Sequence, residues 1–315
     1  MDISAARVLV AGDANPDLVL RGDVRPRFGQ AEQLLADASI LIGGSAAITG
    51  HGFARLGRPV SIVAAIGRDL YGAQVCDELA RAGVDVRPII ERTGVATGLT
   101  VVLSDGGDRA ILTYPGAMPT LTAAEVAAVA ADLSDLAHVH FASYFLMPSL
   151  AAELPNLLAA LRKRGLTTSL DTNADPANEW VGLATALPHL DVLLPNRSEV
   201  SALGGDRNPH VAAARLAASG PLVVVKNGAD GATAVDRAGN TTVVSAMPVT
   251  TVDTTGAGDT FDAAFLDGWL NGLSLPECLE RAALAGAFCV AAVGGTAGQP
   301  TRDDLIPDKI PREHR

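Results

Sequence analysis

The sequence predicts an α/β protein, a three-layer α/β/α sandwich around a mainly parallel sheet with a small β-sheet lid. From residue 120 onwards, short apolar runs alternate with segments of helical period, and such repeats build a parallel sheet covered on both faces. Two β-type stretches, about 16–42 and 95–116, interrupt this alternation. Since no repeat or low-complexity linker divides the chain, we expect a single domain over 1–315, with these two stretches forming its lid.

The first half opens with an apolar run that ends in glycine, as buried parallel strands commonly do. The pair Gly43-Gly44 predicts a turn, after which Ser45 is the expected N-cap of a small-residue helix that ends at Gly57. The acidic and glycine-rich turn at 105–108 predicts a β-hairpin. In order, the predicted elements are strand 7–12, helix 45–57, strand 59–65, helix 71–82 and a hairpin of 97–103 with 109–114.

The second half shows the regular alternation, and glycines at 165 and 220 mark two of its helix ends. A turn at 237–240 predicts a second hairpin. The predicted elements are helix 122–131, strand 137–142, helix 149–164, strand 166–170, helix 177–187, strand 191–194, helix 209–219, strand 221–225, a hairpin of 232–235 with 241–244, and helices 259–271 and 276–292.

Composition excludes several classes of protein. The net charge of −11, from 24 basic and 35 acidic residues, argues against nucleic acid or an anionic membrane as a partner. Three cysteines without a CxxC pair do not form a disulfide framework. The N-terminus lacks the pattern of a signal peptide, and no apolar run approaches the roughly 18 to 20 residues of a membrane span. We therefore expect a soluble, cytoplasmic protein.

Polar residues stand where five successive predicted strands end. Each group alone could be a turn or a helix cap. Because the carboxyl ends of parallel strands meet at one edge of a sheet, together they predict the lining of a ligand crevice. The five groups are Asn15 with Asp17, Asp171 with Asn173, Asn196 with Glu199, Lys226 to Gly228, and the stretch 253–261.

The stretch 253–261, Asp-Thr-Thr-Gly-Ala-Gly-Asp-Thr-Phe, joins a β-rich run to an apolar helix. The unpaired N–H groups of a helix start attract anions, and small residues let a ligand approach the backbone. Asp259 at this edge is either an ordinary acid of the first helical turn or a group that takes a proton. No Gly-Lys dipeptide is present, which excludes a Walker A loop, and no GxGxxG follows the first strand.

These residues resemble the ribokinase-like (PfkB) carbohydrate kinases over essentially the whole chain. The stretch 253–259, followed by Ala-Ala-Phe-Leu at 263–266, matches the second signature of that family in full. The other matching motifs are Gly12-Asp-x-Asn15-x-Asp17, Gly43-Gly44, Asn196-x-x-Glu199, Lys226-x-Gly228-x-x-Gly231 and the tail 295–300.

The resemblance implies a role for each matching position. It implies that Asp259 is the catalytic base and that the N–H groups of Gly256, Ala257 and Gly258 bind the γ-phosphoryl group of ATP. It implies that Asn196 and Glu199 organise Mg²⁺ through water. The implied sugar contacts are Asp13, Asn15, Asp17, Gly43, Gly44, Ser45, Arg109, Tyr144, Asp171 and Asn173. The implied nucleotide contacts are Asn196, Glu199, Lys226, Gly228, Gly231, Ala283 and Gly286, and a monovalent cation such as K⁺ would lie at Asp253 and Thr255.

The implied activity is ATP- and Mg²⁺-dependent phosphorylation of a hydroxyl on a small sugar or sugar acid, of the ribose, fructose or 2-keto-3-deoxygluconate class. Ile48 replaces an asparagine of the first family signature, which leaves a nucleoside kinase open as an alternative. A non-catalytic sugar-binding protein on the same scaffold is a second alternative. Arg109 would meet an anionic group of the substrate or remain solvated. The unpaired edges of lid strands leave a homodimer through the lid open.

Overall fold

The computed structural model describes residues 6–105 and 108–305, without the side chain of Asp108. The strands are β1 (Arg7–Ala11), β2 (Asn15–Arg21), β3 (Asp37–Gly43), β4 (Val60–Val63), β5 (Ala65–Gly67), β6 (Ile90–Arg92), β7 (Leu99–Asp105), β8 (Asp108–Tyr114), β9 (Leu136–Ala142), β10 (Thr167–Asp171), β11 (Val192–Leu193), β12 (Leu222–Lys226), β13 (Ala232–Val235) and β14 (Thr241–Val244). The helices are α1 (Ser45–Arg55), α2 (Leu70–Arg81), α3 (Ala123–Asp132), α4 (Pro148–Ala151), α5 (Leu154–Lys163), α6 (Arg197–Gly204), α7 (Pro209–Ala218), α8 (Ala257–Leu270) and α9 (Leu275–Val290).

The central sheet has eight strands in the order β14-β13-β12-β11-β10-β9-β1-β4. The six strands from β12 to β4 are parallel, and the hairpin of β13 and β14 adds two antiparallel strands at one edge. The first strand, β1, lies between β4 and β9, so later strands are added to the sheet on both sides of it and the strand order reverses there. Ligands of open α/β sheets bind at such a switch point, beyond the carboxyl ends of the strands.

Helices cover both faces of the central sheet. One apolar cluster joins α1, α2, α8 and α9 to residues such as Val8 and Val10 of β1. The other joins α3, α5 and α7 to Leu9 and Ala11 of the same strand. Because alternate residues of a strand point to opposite faces, one short apolar run supplies both clusters. The predicted three-layer α/β/α class is confirmed.

A second, four-stranded sheet has the order β3-β2-β7-β8, and we call it the lid sheet. Strands β2 and β3 come from the stretch 16–42 and its borders, whereas β7 and β8 come from the stretch 95–116. The parallel pairing of β2 with β7 joins the two stretches, which are far apart in sequence. The first residue of α1 follows β3 after one residue, so the lid sheet connects directly to the crevice.

Several predicted elements differ from those observed. The helix predicted at 177–187 is replaced by two short 3-10 turns, at 183–185 and 187–189, because Asn178, Trp180 and Gly182 adopt positive φ. The helix predicted at 149–164 breaks into α4 and α5, since Pro155 cannot donate a hydrogen bond to the preceding turn. Helix α6 and the two-stranded sheet of β5 with β6 were not predicted.

A buried ion pair links the end of α1 to α8. The Nε of Arg58 donates to Asp267 Oδ1 at 2.6 Å, and both side chains are fully buried. Arg58 also donates to the carbonyl oxygens of Ala6 and Asp267, which satisfies the guanidinium in an apolar setting. The described residues contain no helix long and apolar enough to cross a membrane.

Candidate active site

Helix α8 starts at the crevice with a residue in the left-handed conformation. Gly256 is its N-cap with φ of 71°, and a Cβ there would lie 2.7 Å from the carbonyl oxygen of Gly295. Only glycine combines that φ with so close an approach of two backbones. The first N–H groups of α8 have no acceptor one turn earlier in the helix, so they give this end a positive potential. The N–H of Ala257 makes only a long bond of 3.4 Å, to the carbonyl oxygen of Thr254. The backbone at Gly256, Ala257 and Gly258 is therefore suited to a nearby anion.

Asp259 lies in the first turn of α8 and is 9% exposed. Its Oδ1 accepts a hydrogen bond from the hydroxyl of Ser45 at the start of α1. Burial, helped by the negative charge of Asp171, raises the pKa of Asp259 to about 7, while the Ser45 hydroxyl and Lys226 act in the opposite direction. A buried carboxyl with this pKa can hold or release a proton near neutral pH.

Asp13, which follows β1, caps α1. Its Oδ1 accepts the N–H of Ala46 at 3.0 Å, and its backbone oxygen accepts the N–H of Ala47 at 3.2 Å. Ser45 is thus the first residue of α1, and the expectation that it is the N-cap is wrong. Gly44 holds that position with φ of 85°, and Asp13 supplies the acceptor. The Ser45 hydroxyl is consequently available to Asp259.

Strand β2 brings two more polar side chains to the same place. The Nδ2 of Asn15 donates to Asp17 Oδ1 at 3.2 Å and to Thr100 Oγ1 of β7 at 3.1 Å. Burial and the charge of Asp13 raise the pKa of Asp17 to about 7. The Asp17 carboxyl occupies the space of a side chain at Gly43, where a Cβ would lie 2.7 Å from Oδ2. Asp13, Asp17 and Asp259 together offer acceptors suited to the hydroxyls of a polyol.

Lys226 ends β12 and points toward the base of α8. Its Nζ lies 2.6 Å from Asp171 Oδ2 and 3.0 Å from Asp262 Oδ2. Asp171, predicted to contact sugar, and Lys226, predicted to contact nucleotide, are thus paired with each other. Asp262 was missed in the sequence; an acid one turn after Asp259, inside an apolar helix, was the available signal.

Asn196 and Glu199 form a reciprocal cap at the start of α6. The Asn196 side chain accepts the N–H groups of Ser198 and Glu199, and Glu199 Oε2 accepts the Asn196 N–H at 2.8 Å. Burial, with the charge of Asp171, raises the pKa of Glu199 to about 7. The described side chains form no metal cage of three or more acids, cysteines or histidines. This oxygen-bearing pair fits Mg²⁺ held through water and phosphate rather than directly.

A cavity of about 610 Å³ is lined by Asn196 of this pair and by Lys226, whereas Glu199 does not line it. Its other walls include Asn227, Gly228 and Arg207. Gly231 closes the turn that follows, with φ of 92°. Ala283 and Gly286 are placed on α9; Gly286 lies against the carbonyl of Ala257, where a Cβ would be 3.6 Å from the oxygen. Neither residue of α9 lines this cavity.

Two predicted substrate positions, Tyr144 and Asn173, and the residue Ile48 make other contacts. Tyr144 borders a separate cavity of about 510 Å³, with its hydroxyl beside Gly182. The side-chain oxygen of Asn173 accepts the N–H of Ser143 at 3.0 Å and so fixes the loop after β9. Ile48 is buried against Gly295, the residue that contacts Gly256. Among the described residues no hydrogen bond joins these three to the Asp259 carboxyl, but the N–H of Asn173 donates to Asp171 Oδ1 at 3.3 Å.

The carboxylate of Asp253, predicted to hold a monovalent cation, already has hydrogen-bond donors and guanidinium groups as partners. Its carboxylate accepts the N–H and hydroxyl of Thr255, and the N–H of Gly294. Two guanidinium groups of the lid sheet also approach it, Arg109 at 3.7 Å and Arg21 at 3.8 Å. Arg109 donates to Thr255 Oγ1 at 3.0 Å as well. The side chains of Asp253 and Thr255 therefore fit poorly as ligands of a further cation.

We predict that Asp259→Asn stabilises the protein at pH 8 by about 1–3 kcal/mol. Between the ordinary carboxyl pKa and about 7, folded Asp259 binds a proton that the unfolded chain releases, so stability falls as pH rises through this range. The amide removes that charge. Urea unfolding should show the gain at pH 8 and a smaller one at pH 5, with exposed Asp77→Asn unchanged as control. An Asp259→Asn protein less stable than wild type at pH 8 would contradict this.

Comparison with known proteins places this arrangement in a family. Residues 5–302 match the model of the pfkB family carbohydrate kinases. An ATP-dependent ribose-1-phosphate kinase of Halopiger xanaduensis is 30% identical over 94% of this chain and 96% of its own. A 2-dehydro-3-deoxygluconokinase of Bacillus subtilis is 30% identical over 81% of this chain and 82% of its own.

A solved structure has the same fold and carries ligands. It is an E. coli protein described as a Ribokinase II in complex with ATP and Mg²⁺, with a TM-score of 0.84 and 26% identity, over 95% of this chain and 97% of its own. The family match spans nearly all the described residues, including the start of α8, the lid sheet and the strand ends. This chain belongs to the pfkB family of carbohydrate kinases and is an ATP-dependent sugar kinase.

Proposed function

We propose that the enzyme transfers the γ-phosphoryl group of ATP to a hydroxyl of a small sugar or sugar acid, with Asp259 as the base. The observation that carries the proposal is the position of Asp259: a buried carboxyl in the first turn of α8, beside N–H groups that suit an anion. A carboxylate next to an anion site is repelled by it, unless the carboxylate takes up a proton during the reaction.

In this reaction the sugar oxygen forms a bond to the γ-phosphorus while the bond from that phosphorus to the β,γ-bridging oxygen breaks. The hydroxyl proton goes to the Asp259 carboxylate, and ADP leaves with the electron pair. Catalysis of phosphoryl transfer consists mainly of positioning and charge stabilisation. In this proposal the N–H groups of Gly256, Ala257 and Gly258 bind the transferring group, and one such donor is worth roughly 3 kcal/mol in comparable sites.

The nucleotide is assigned to the cavity beside Asn196, Lys226 and Gly228. Related structures contain ATP and Mg²⁺, and Asn196 with Glu199 is suited to hold waters of that ion. When bound, Mg²⁺ neutralises charge on the phosphates. In this proposal the lid sheet covers the sugar and contacts it near Asn15, Asp17 and Thr100, which are joined by hydrogen bonds. Its closure would exclude water, the competing phosphoryl acceptor.

Two observations support an anionic sugar as substrate. The relatives named above act on ribose 1-phosphate and on 2-dehydro-3-deoxygluconate, and both substrates are anions. Arg109 of the lid sheet is close enough to the site to lower the pKa of Asp17, which burial raises to about 7. The nucleoside alternative rested on Ile48, but that side chain packs against Gly295 rather than toward the polar groups. We also retain a cytoplasmic location and a homodimer through the lid as parts of the proposal.

We predict that Asp259→Asn lowers turnover by roughly 10²–10⁴-fold, because the amide cannot accept the hydroxyl proton. A coupled assay of ADP formation measures turnover, and calorimetric titration with an unreactive ATP analogue should give near-wild-type affinity. Exposed Asp77→Asn is the control. Wild-type turnover in Asp259→Asn would show that another group is the base.

We predict a higher kcat/KM for 2-keto-3-deoxygluconate or ribose 1-phosphate than for ribose, fructose or adenosine, by about tenfold or more, the range of one charge-assisted contact. The same ADP assay over this panel measures it. Arg109→Met should reduce the preference by acting on the anionic substrates alone. A preference for adenosine would restore the nucleoside alternative.

We predict that replacing tetramethylammonium chloride by KCl at equal ionic strength changes kcat by less than about twofold. Arg109 and Arg21 already place positive charge near Asp253, so a potassium ion there adds little. Steady-state rates at saturating substrates decide the point. A strong dependence on K⁺ would mean that the ion shares Asp253 with these arginines or displaces them.

A further inference from the structure

The side chain of Lys226, at the end of β12, lies against the N-terminal turn of α8. Asp171 is 3% exposed and Asp262 is fully buried, and the Nζ of Lys226 bonds to both. A Cβ at Gly258 would lie 3.4 Å from the same Nζ. The ammonium therefore lies against the first turn of α8, beside one anion-binding N–H group and one residue from Asp259.

The carboxyl groups of Asp171 and Asp262 bind the ammonium of Lys226 and hold it in place. Burial raises the pKa of Asp171, yet the charge of Lys226, together with the hydrogen bonds of Asp262 and Lys226, keeps this pKa below the ordinary value. Burial raises the pKa of Asp262 well above the ordinary value, and the charge of Asp171 adds to the rise while Lys226 opposes it. The contacts of 2.6 Å to Asp171 and 3.0 Å to Asp262 fix the ammonium of Lys226 at one place.

Several other groups surround this trio. Asp13 follows β1, His140 lies on β9, Glu199 on α6 and Asp259 on α8 itself. Most are acids, so the α8 start would be strongly negative without Lys226. Since Asp259 must be ionised to accept a proton, a cation nearby lowers the cost of that state. The same cation favours the negative charge of a transferring phosphoryl group.

We propose that Lys226, clamped by Asp171 and Asp262, is a positioning residue that supports the ionised form of Asp259 and the anion site at the start of α8. This inference rests on the proposed role of Asp259 as base. In this inference Asp171 and Asp262 hold the Lys226 ammonium in place. Lys226 then contributes to the chemical step and does not act only by contacting the nucleotide.

The test compares Lys226→Met, Lys226→Arg and the exposed control Lys163→Met by pH–rate profiles on the sugar with the highest wild-type activity. For Lys226→Met we expect a kcat lowered about 100-fold at pH 7, an acidic limb moved to higher pH, partial recovery of rate above pH 8, and a KM for ATP within about threefold. Lys226→Arg, which keeps the charge, should restore part of the rate and return the limb toward wild type.

A second variant covers the case in which Lys226→Met does not fold. Lys226→Met combined with Asp171→Asn removes one charge of each sign, so the acid closest to Lys226 is not left buried without its partner. Thermal unfolding should show a folded protein, and kcat should still fall by about tenfold or more, since the cation at the α8 start is gone. A double variant with wild-type kcat would overturn the proposal.

The remaining outcomes are separated by assaying Asp259→Asn alongside. If Asp259→Asn keeps its turnover, the base assignment fails and the role of Lys226 fails with it. If Asp259→Asn is inactive while Lys226→Met keeps the wild-type pH profile, only the inference about Lys226 fails. If Lys226→Met raises the KM for ATP with kcat and the pH limb unchanged, Lys226 is a nucleotide contact, and the inference is overturned.

Discussion

The site depends on one constraint: several acids crowd together at the carboxyl ends of the strands, and the largely buried ammonium of Lys226 pairs with two acids, Asp171 and Asp262. Asp13, Asp17, Glu199, Asp259 and Asp262 all have a raised pKa, chiefly through burial. Burying these carboxyl groups is unfavourable, and it occurs at the carboxyl ends of the strands, where the switch point of the sheet leaves room for ligands. The acids are close enough to influence one another, so changing one alters the proton affinity of the others.

In the proposed mechanism this acidic protein binds the phosphates of its nucleotide through backbone groups. The chain carries a net charge of −11, which repels phosphate at long range. The N-terminus of helix α8 offsets this repulsion locally, because its first N–H groups attract an anion without the help of a basic side chain. Gly256 makes the close approach possible, and Ile48 and Gly295 support the turn from below. The lid sheet adds Arg109 and Arg21 from the opposite side.

Local patterns in the sequence predicted most strands, the start of α8 and the polar strand ends, because each is encoded within a few residues. What they missed is long-range. Lys226 meets Asp171 across 55 positions and Asp262 across 36, and no spacing in the sequence announces such a contact. The failed helix at 177–187 has another cause: the backbone takes positive φ at Asn178, which tolerates it, and at Trp180, which does not favour it. The Asp175 carboxylate holds this loop by accepting the N–H groups of Glu179 and Trp180.

The central claim is that burial gives Asp259 a proton affinity suited to a base near neutral pH. Its most direct measurement is a carbon-13 NMR titration of the aspartate carboxyl groups in the ligand-free enzyme, with the Asp259 signal assigned by its loss in Asp259→Asn. We predict a midpoint of about 7 for that signal. A midpoint near 4, the ordinary range of an aspartate, would contradict the account.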